Sequence, residues 1–406
     1  MAAVDPASSG NAMNAEERRA GVSLAAIFAL RMLGLFLILP VFAVYAKDLP
    51  SGHDTALIGL AIGAYGITQA FLQIPFGMAS DRYGRKPVIV VGLLLFIVGS
   101  IVAALASDLP QIIVGRVLQG AGAISAAVTA LAADLTRESQ RTKVMAMIGS
   151  SIGLTFAGSL VLAPLLFRTV GMGGIFWLTA LLAAGAIVAV LVVVPDPERE
   201  ASTAERGIVR ARFADVLRDG RLLRLNFGVF ALHLMQTAMW VVVPAALVRV
   251  GDLPLGEHWK VYLPAVLVSF AVMVPAVIAA EKYGRMKLVF NGAVALLVLV
   301  QFGFEAFGDS LTGLALCLTL FFVSFNVLEA TQPSLISRIA PPQAKGAALG
   351  VYNTTQSLGL FLGGAVGGAI VQRAGPHTVY WACAGIALLW LAVAATFQFP
   401  APRPKA

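Results

Sequence analysis

Gly77-Met-Ala-Ser-Asp81-Arg82-Tyr83-Gly84-Arg85-Lys86-Pro87 fills a short polar interval between two long apolar stretches. A second copy, Glu281-Lys282-Tyr283-Gly284-Arg285-Met286-Lys287, follows with Tyr, Gly and Arg in register at an offset of 200 residues. Residues 140–149 match residues 344–351 at nearly the same offset. The chain is therefore predicted to consist of two homologous halves.

The composition places both halves in a lipid bilayer. Of 406 residues, 59% are apolar and 12% are charged, whereas soluble domains are about 45–50% apolar and about 25% charged. The formal net charge of +8 does not indicate nucleic-acid binding, because the basic residues fall in short loops between apolar stretches. Cys317 and Cys383 lie inside apolar stretches, which predicts packing roles and neither a disulfide framework nor a metal cluster.

Twelve apolar stretches are long enough to cross about 30 Å of hydrocarbon at about 1.5 Å per residue. The longest polar interval follows the sixth of them. We therefore predict an all-α membrane protein with twelve transmembrane helices in two pseudo-symmetric six-helix bundles. The predicted spans are residues 22–46, 56–79, 88–106, 110–133, 144–167, 174–194, 223–250, 259–280, 288–307, 311–336, 346–372 and 378–399.

The spans divide the chain into five parts. A tail over residues 1–21 precedes the first bundle, residues 22–194; a linker over residues 195–222 leads to the second bundle, residues 223–399, and a tail over residues 400–406. Within the linker, Phe213, Val216 and Leu217 could form the apolar face of a surface helix, with a solvated segment as the alternative. The first 19 residues lack the apolar core and cleavage site of a signal peptide, so we expect the first span to be retained.

The lysines and arginines are distributed unequally between the two sides of the predicted membrane. Most of the 29 lie on the side of the N-terminus, and Arg31 and Arg116 lie inside spans. The positive-inside rule therefore predicts that both termini are cytoplasmic. The opposite side is predicted to hold only Lys47, Arg168, Arg249, Lys260 and Arg373.

The stretch Gly77-x-x-x-Asp81-Arg82-x-Gly84-Arg85-Lys86 resembles motif A of the major facilitator superfamily. Arg116-Val-Leu-Gln119-Gly120-Ala-Gly122-Ala in span 4 is similar to motif B of its proton-coupled drug exporters. The resemblance covers nearly the whole chain. It implies a monomeric carrier of the bacterial inner membrane that moves a small molecule, uses protons as its energy source and needs no cofactor. Parallel repeats with a shared midplane site are typical of secondary transporters.

Two departures from the pattern keep alternatives open. In motif C of the antiporters, Gly-x8-Gly-x3-Gly-Pro, Gly149 and Gly158 keep the first spacing, but Pro164 arrives one residue late. Leu30-Arg31-Met32-Leu33-Gly34 resembles a bacterial subgroup that carries a soluble domain after the last span, which we do not expect here. Proton-coupled uptake, or a receptor on the same scaffold, are the alternatives to export. Neither His-Glu-x-x-His nor a Gly-x4-Gly-Lys-Ser/Thr loop is present, and we expect no enzyme.

Motif A predicts an ionic latch. Asp81 and Arg85 are four residues apart, and Asp134 ends span 4, so a carboxylate–guanidinium–carboxylate cluster is sterically reasonable, and the resemblance implies the same cluster. We expect it to hold the halves together at the cytoplasmic side. Charge that only sets topology is the alternative, although it leaves Asp81 unexplained. The remaining motif residues are Gly77, Arg82, Gly84 and Lys86, and the second copy, with Glu281 and Arg285, predicts a weaker latch.

Five polar residues inside spans are candidates for proton coupling. A cation at mid-membrane costs about 2.5–3.5 kcal/mol, so Arg116 should face protein or water; the resemblance links it to proton coupling, with Gln119 on the same face. Arg31 raises the same argument, or it snorkels. A desolvated Glu329 could exchange a proton near neutral pH, and His233 titrates in the useful range. A structural acid and a hydrogen-bonded core histidine are the respective alternatives.

An apolar cavity for varied substrates needs aromatic and amide side chains. Tyr65, Gln69 and Gln73 share one face of span 2 and are predicted to line it, with ordinary packing as the alternative. The second half is expected to contribute Gln236, Trp240, Asn326, Asn353 and Gln356.

Overall fold

The computed structural model describes residues 13–196, 215–341 and 344–400, and over these residues the secondary structure is helical with no strand. Its helices are α1 Ala15–Phe36, α2 Leu39–Tyr45, α3 Thr55–Tyr83, α4 Arg85–Ala104, α5 Leu109–Ala121, α6 Ser125–Asp134, α7 Glu138–Val188, α8 Gly220–Gly251, α9 Trp259–Glu281, α10 Met286–Phe307, α11 Leu311–Ile339, α12 Lys345–Ala374 and α13 Pro376–Ala395.

The described residues form 11 segments that are long and apolar enough to cross a membrane. One of them, α7, contains two crossings. Its 51 residues would extend about 76 Å if straight, but Gly171 breaks the helix with φ 68°. Val144 and Val190, one on each side of that break, pack in the same cluster with Leu24 of α1. The chain therefore reverses at Gly171, and the predicted fold of twelve crossings is confirmed.

The fourth crossing is interrupted within the membrane. Helix α5 ends at Ala121, and Gly122 has φ −76° and ψ 53°, which do not continue a helix. Helix α6 then begins at Ser125, and its cap residue Ile124 makes no side-chain capping bond. The equivalent crossing of the second half, α11, is continuous over 29 residues. The break is thus a feature of the first half alone.

The two ends of the bundle differ in charge. We call one end the basic face; it holds the α3–α4, α6–α7 and α9–α10 connections and the start of α12, with Arg82, Lys86, Lys282 and Lys345. The other end, the opposite face, holds the α2–α3, α4–α5, α8–α9 and α12–α13 connections. The odd-numbered crossings of each half run from the basic to the opposite face and the even-numbered ones return.

The halves pack closely near the opposite face. A Cβ on Gly59 of α3 would lie 2.2 Å from the carbonyl oxygen of Gly364 in α12, and one on Gly63 would lie 2.5 Å from that of Phe361. The amide of Thr55 donates to Oε1 of Gln372 at 2.8 Å. We call this glycine-lined contact between α3 and α12 the seam. Small residues let two helix backbones approach in this way.

The apolar cores show the same asymmetry. One cluster joins both halves, including Phe42 and Phe156 of the first and Val243 and Phe322 of the second. The other cluster lies in the first half toward the basic face, and all its members and neighbours fall within residues 13–194. This conformation is therefore closed at the opposite face by contacts between the halves.

The predicted part boundaries remain predictions. Residues 197–214, which include Phe213, lie outside the described residues, as do residues 1–12 and 401–406. Residues 215–218 form a helical turn in which Val216 is buried and Leu217 is exposed.

Candidate functional site

The motif A residues meet at the basic face. Arg85 Nε donates to Oδ2 of Asp134 at 2.8 Å, and Nη1 of Arg85 contacts Asp81 and donates to Oγ of Ser80 at 2.8 Å. Gly84 has φ 98°, a left-handed conformation that favours glycine and that turns the chain directly from α3 into α4. The structure thus contains the predicted carboxylate–guanidinium–carboxylate cluster.

Among the described residues, the partners of this cluster belong to the first half and to the start of the linker. Lys86 Nζ donates to the carbonyl of Val194 at 2.7 Å and lies 2.7 Å from Oδ1 of Asp196, which ties α4 to the end of the sixth crossing. Arg82 lies over the ring of its neighbour Tyr83, and a Cβ on Gly77 would lie 3.4 Å from Cβ of Ala126. In this conformation the described contacts of the cluster therefore join crossings of the first half and the start of the linker, and its action as a latch between halves remains a prediction.

The second copy of the motif pairs differently from the sequence expectation. Glu281 accepts a hydrogen bond from Oγ of Ser334 at 2.6 Å and lies 3.6 Å from Nη1 of Arg338, whereas the sequence suggested Arg285. Arg338 follows Asp134 at the same offset that separates the Arg141 and Lys345 stretches. The second half thus has a cation, Arg338, at the position where the first half has the acid Asp134, and Glu281 contacts this cation directly.

Arg31 lies inside the first half and does not snorkel, since only 1% of it is exposed. Its Nη2 donates to Oη of Tyr65 at 2.7 Å and to the carbonyl of Gly122 at 2.9 Å. Its Nη1 donates to Oγ of Ser125 at 3.4 Å, and its Nε is buried with no hydrogen-bond partner in the described part of the chain. All of these acceptors are neutral groups, and two of them, Gly122 and Ser125, flank the break between α5 and α6.

Arg116 is equally buried, at 1% exposed. Its Nη1 donates to Oε1 of Gln119 at 2.9 Å, and Gln119 in turn donates to Oγ of Ser100 at 2.8 Å. Its other bonds reach backbone carbonyls of Ala61 and Ile62. Its Cζ also lies 5.3 Å from the ring centre of Tyr65. Tyr65 therefore sits between two guanidinium groups, and the motif B pair is brought together as the sequence suggested.

A second polar cluster lies in the second half, where His233 of α8 contacts α11 and α12. Its Nδ1 lies 3.0 Å from the carbonyl of Val229, an acceptor, so Nδ1 carries the proton of the neutral ring. Its Nε2 lies 2.7 Å from Nε2 of Gln356 and 3.6 Å from Oε2 of Glu329. That carboxylate oxygen is buried and has no hydrogen-bond partner within residues 13–196, 215–341 and 344–400. The sequence named all three residues but did not pair them.

The residues predicted to line a cavity are divided among different surroundings. Gln69 and Gln73 are buried in α3. Oε1 of Gln69 and both amide atoms of Gln73 have no hydrogen-bond partner among the residues that the structure describes. Gln236 and Trp240 border a cavity of about 10 Å³, about the size of one water molecule. Asn326 donates to Oγ of Ser269 at 2.9 Å. The carbonyl of Asn353 accepts from Ser357.

Two features of the structure were not predicted from the sequence. Gly122 and Ser125 contact Arg31 because the helix breaks there; the pair Gly120 and Gly122 within one span was the available signal. The stretch Gly149-Ser150-Ser151-Ile152-Gly153 also has the spacing of a nucleophile elbow. Ser151, however, lies within α7, and its Oγ donates to the carbonyls of Ala25 and Ile148, so it is no exposed nucleophile.

Comparison with known proteins agrees with this architecture. The family model described as Major Facilitator Superfamily matches residues 24–363 and again residues 227–406. The chain is 46% identical over 388 residues to the inner membrane transport protein YajR of Escherichia coli strain K12, covering 96% of this chain and 85% of that protein. It is 26% identical to the multidrug resistance protein MdtH of Aeromonas hydrophila, covering 83% of this chain and 82% of that protein.

A solved structure has the same fold at low sequence identity. The D-xylose-proton symporter superposes with a TM-score of 0.74 at 15% identity, covering 94% of this chain and 98% of that one. The two matches to one family model, the high identity to a transport protein and the shared fold all point the same way. The chain belongs to the Major Facilitator Superfamily and is a multi-pass membrane transporter, not an enzyme.

Proposed function

We propose that this transporter is a proton-coupled exporter of small amphipathic compounds that works by alternating access, as a monomer in the inner membrane with both termini in the cytoplasm. The observation that carries the proposal is the contact of His233 with Gln356 and Glu329. A histidine beside a carboxylate with an unpartnered oxygen, inside the membrane domain, is an arrangement that can bind and release the coupling proton. No cofactor is needed, since the gradient supplies the energy.

The hydrogen bonds of His233 make its protonation a structural event. The neutral ring donates from Nδ1 to Val229, so Nε2 accepts the amide hydrogen of Gln356. A proton arriving at Nε2 turns this acceptor into a donor. The bond from the amide nitrogen of Gln356 is then lost, and the imidazolium is drawn to the carboxylate of Glu329 in α11.

The lost bond lies next to the seam between the halves. Gln356 precedes Ser357, whose carbonyl oxygen would lie 2.5 Å from a Cβ on Gly66 of α3. A shift of α12 that follows the protonation of His233 therefore changes the contact of α12 with α3 of the first half. Rocking of two bundles around a midplane site is the general behaviour of such repeats, and a proton moves the equilibrium only by its different affinity for the two states.

Two features favour export. Arg116 and Gln119 form the motif B pair, and the relative MdtH is named a multidrug resistance protein. The late position of Pro164 in motif C favours the second candidate, proton-coupled uptake of a small metabolite. Both candidates use the same proton site and differ only in the direction of substrate movement relative to the proton.

Reconstituted proteoliposomes with an imposed pH gradient test the proposal. A panel of radiolabelled amphipathic compounds is offered, and we expect at least one to move against the direction of proton flow. Movement with the protons would replace export by uptake. Fluxes that are the same with and without the gradient, for every transported compound, would refute proton coupling.

A further inference from the structure

The break in the fourth crossing places a helix N-terminus inside the membrane. Helix α6 runs for 10 residues from Ser125 toward the basic face, and the first N–H groups of any α-helix have no acceptor within the helix. The residue at the cap position, Ile124, has an apolar side chain and makes no capping bond. Such an N-terminus carries about half a positive charge and attracts anions.

Arg31 stands at this N-terminus. It donates to Gly122 and Ser125 on the two sides of the break. Its Nε has no acceptor among the described residues, although only 1% of the residue is exposed. A buried guanidinium normally takes a carboxylate or phosphate partner in bidentate geometry. Here its partners are a phenol, a hydroxyl and a carbonyl, each of which an anion could replace.

The first half supplies no counter-charge for this region. The acids of its predicted bundle are Asp48, Asp54, Asp81, Asp108, Asp134 and Glu138, and Glu16 and Glu17 precede it in the first turn of α1. All of them lie at helix ends or in connections. Arg116 adds a second buried guanidinium on the other side of Tyr65. Two cations and a helix N-terminus thus share one region in which every recorded partner is neutral.

The second half does not repeat this arrangement. His233 follows Arg31 by 202 residues and Glu329 follows Ser125 by 204, which are close to the repeat offset. At these equivalent positions the second half has a histidine and an acid, and its helix α11 is unbroken. The repeat has therefore diverged into a titratable cluster in one half and a purely cationic cluster in the other.

We propose that the transported compound carries an anionic group, a carboxylate, sulfonate or phosphate, which binds at the N-terminus of α6 between that end and Arg31. This inference deepens the proposed function, because it assumes that the molecule is a transporter and names the class of its substrate. The anion would replace Ser125 and Tyr65 as acceptor for Arg31 and would take up its free Nε. The apolar part of an amphipathic anion would extend toward the seam.

Ligand binding without any gradient tests the substrate class separately from proton coupling. The purified protein in detergent is titrated with benzoate, benzenesulfonate and phenyl phosphate, and with benzamide and benzylamine as neutral and cationic probes of similar size. Binding is followed as a saturable rise in Tm. We expect saturation with at least one of the three anions and none with benzamide or benzylamine.

Variants locate the site. Arg31→Gln should weaken anion binding about tenfold or more, the loss expected when one charged hydrogen-bonding partner is removed, and Arg31→Lys should restore part of it. The control is Arg373→Gln, which removes an exposed arginine at the opposite face and should bind as the wild type does. If Arg31→Gln does not fold, an unchanged affinity and order of preference among the three anions in Arg31→Lys refutes the site.

The outcomes separate the two proposals. Saturable binding of benzylamine without binding of any anion, or no binding of any anion, overturns the substrate class. An equal loss of affinity in Arg373→Gln and Arg31→Gln overturns the location. Anion binding that depends on Arg31, together with transport that ignores the pH gradient, supports the substrate class and refutes only the coupling.

Discussion

Glu17 and Arg137 form a two-pronged ion pair between the start of α1 and the start of α7. Oε1 of Glu17 accepts from Nε of Arg137 at 2.8 Å and from its backbone amide at 3.1 Å, and Oε2 accepts from Nη2 at 2.9 Å. Glu17 is buried. The pair lies three residues along the chain from Asp134, so it continues the ionic contacts of motif A to the first crossing.

Replacing this buried carboxylate should lower stability. Glu17→Gln keeps the size of the side chain but removes the charge that three N–H groups of Arg137 share, and the loss should be about 1–3 kcal/mol. The control is Glu16→Gln, which changes the exposed neighbour and should leave Tm unchanged. Thermal unfolding in detergent measures both, and equal Tm values for the two variants would show that the pair contributes nothing.

The motif A cluster should be required for transport and not for insertion. Asp81→Asn removes one of the two carboxylates that hold Arg85, and we expect transport in proteoliposomes to be abolished while the protein inserts and purifies normally. Asp215→Asn, a change at an exposed acid of the same face, serves as the control. A wild-type rate in Asp81→Asn would return the cluster to a role in topology.

The pH dependence of transport should reside in the pair His233 and Glu329. Glu329→Gln removes the carboxylate that stabilises the imidazolium, so the pH profile of transport should flatten. The chain offers a matched control in Glu305→Gln, because Glu305 pairs with His377 at the opposite face at 3.0 Å but lies outside the proposed proton site. An unaltered profile in Glu329→Gln would make Glu329 a structural acid.

The seam should respond to a single added methyl group. In Gly364→Ala the Cβ would lie 2.4 Å from the carbonyl oxygen of Gly59, so the halves cannot close at the opposite face without a shift of the backbone. Population should move toward conformations open at that face. A Thr55→Cys background reports this as faster labelling by a membrane-impermeant maleimide, since the native Cys317 and Cys383 are buried.

Gly385→Ala is the control for the seam, because a Cβ at Gly385 has no neighbour within 4 Å. Its labelling rate should match that of Thr55→Cys alone. Equal rates in the Gly364 and Gly385 variants would contradict the assignment of the seam as the closing contact.

The sequence by itself determined the number of crossings, the division into two halves and the family. Long apolar stretches form helices in lipid, since backbone polar groups cannot pair with water there and must pair within the helix. The length of each helix is fixed by the thickness of the bilayer. The offset between the two copies of the motif, at Asp81 and at Glu281, also revealed the internal repeat. The sequence also named Arg31, Arg116, His233 and Glu329, because an ionisable residue within an apolar span is unusual in any context.

Only the tertiary structure decided which partners these residues take. Spacing along one helix cannot show that Arg31 forms hydrogen bonds with Gly122 and Ser125 across the bundle. Nor can it show that Glu281 pairs with Arg338 and not with Arg285. It also could not show that the described contacts of the motif A cluster stay within the first half and the start of the linker, because those contacts depend on how the two halves pack against each other. Partner choice and conformation are set by contacts between residues far apart in the chain. Alternative arrangements of these contacts differ in free energy by only a few interactions.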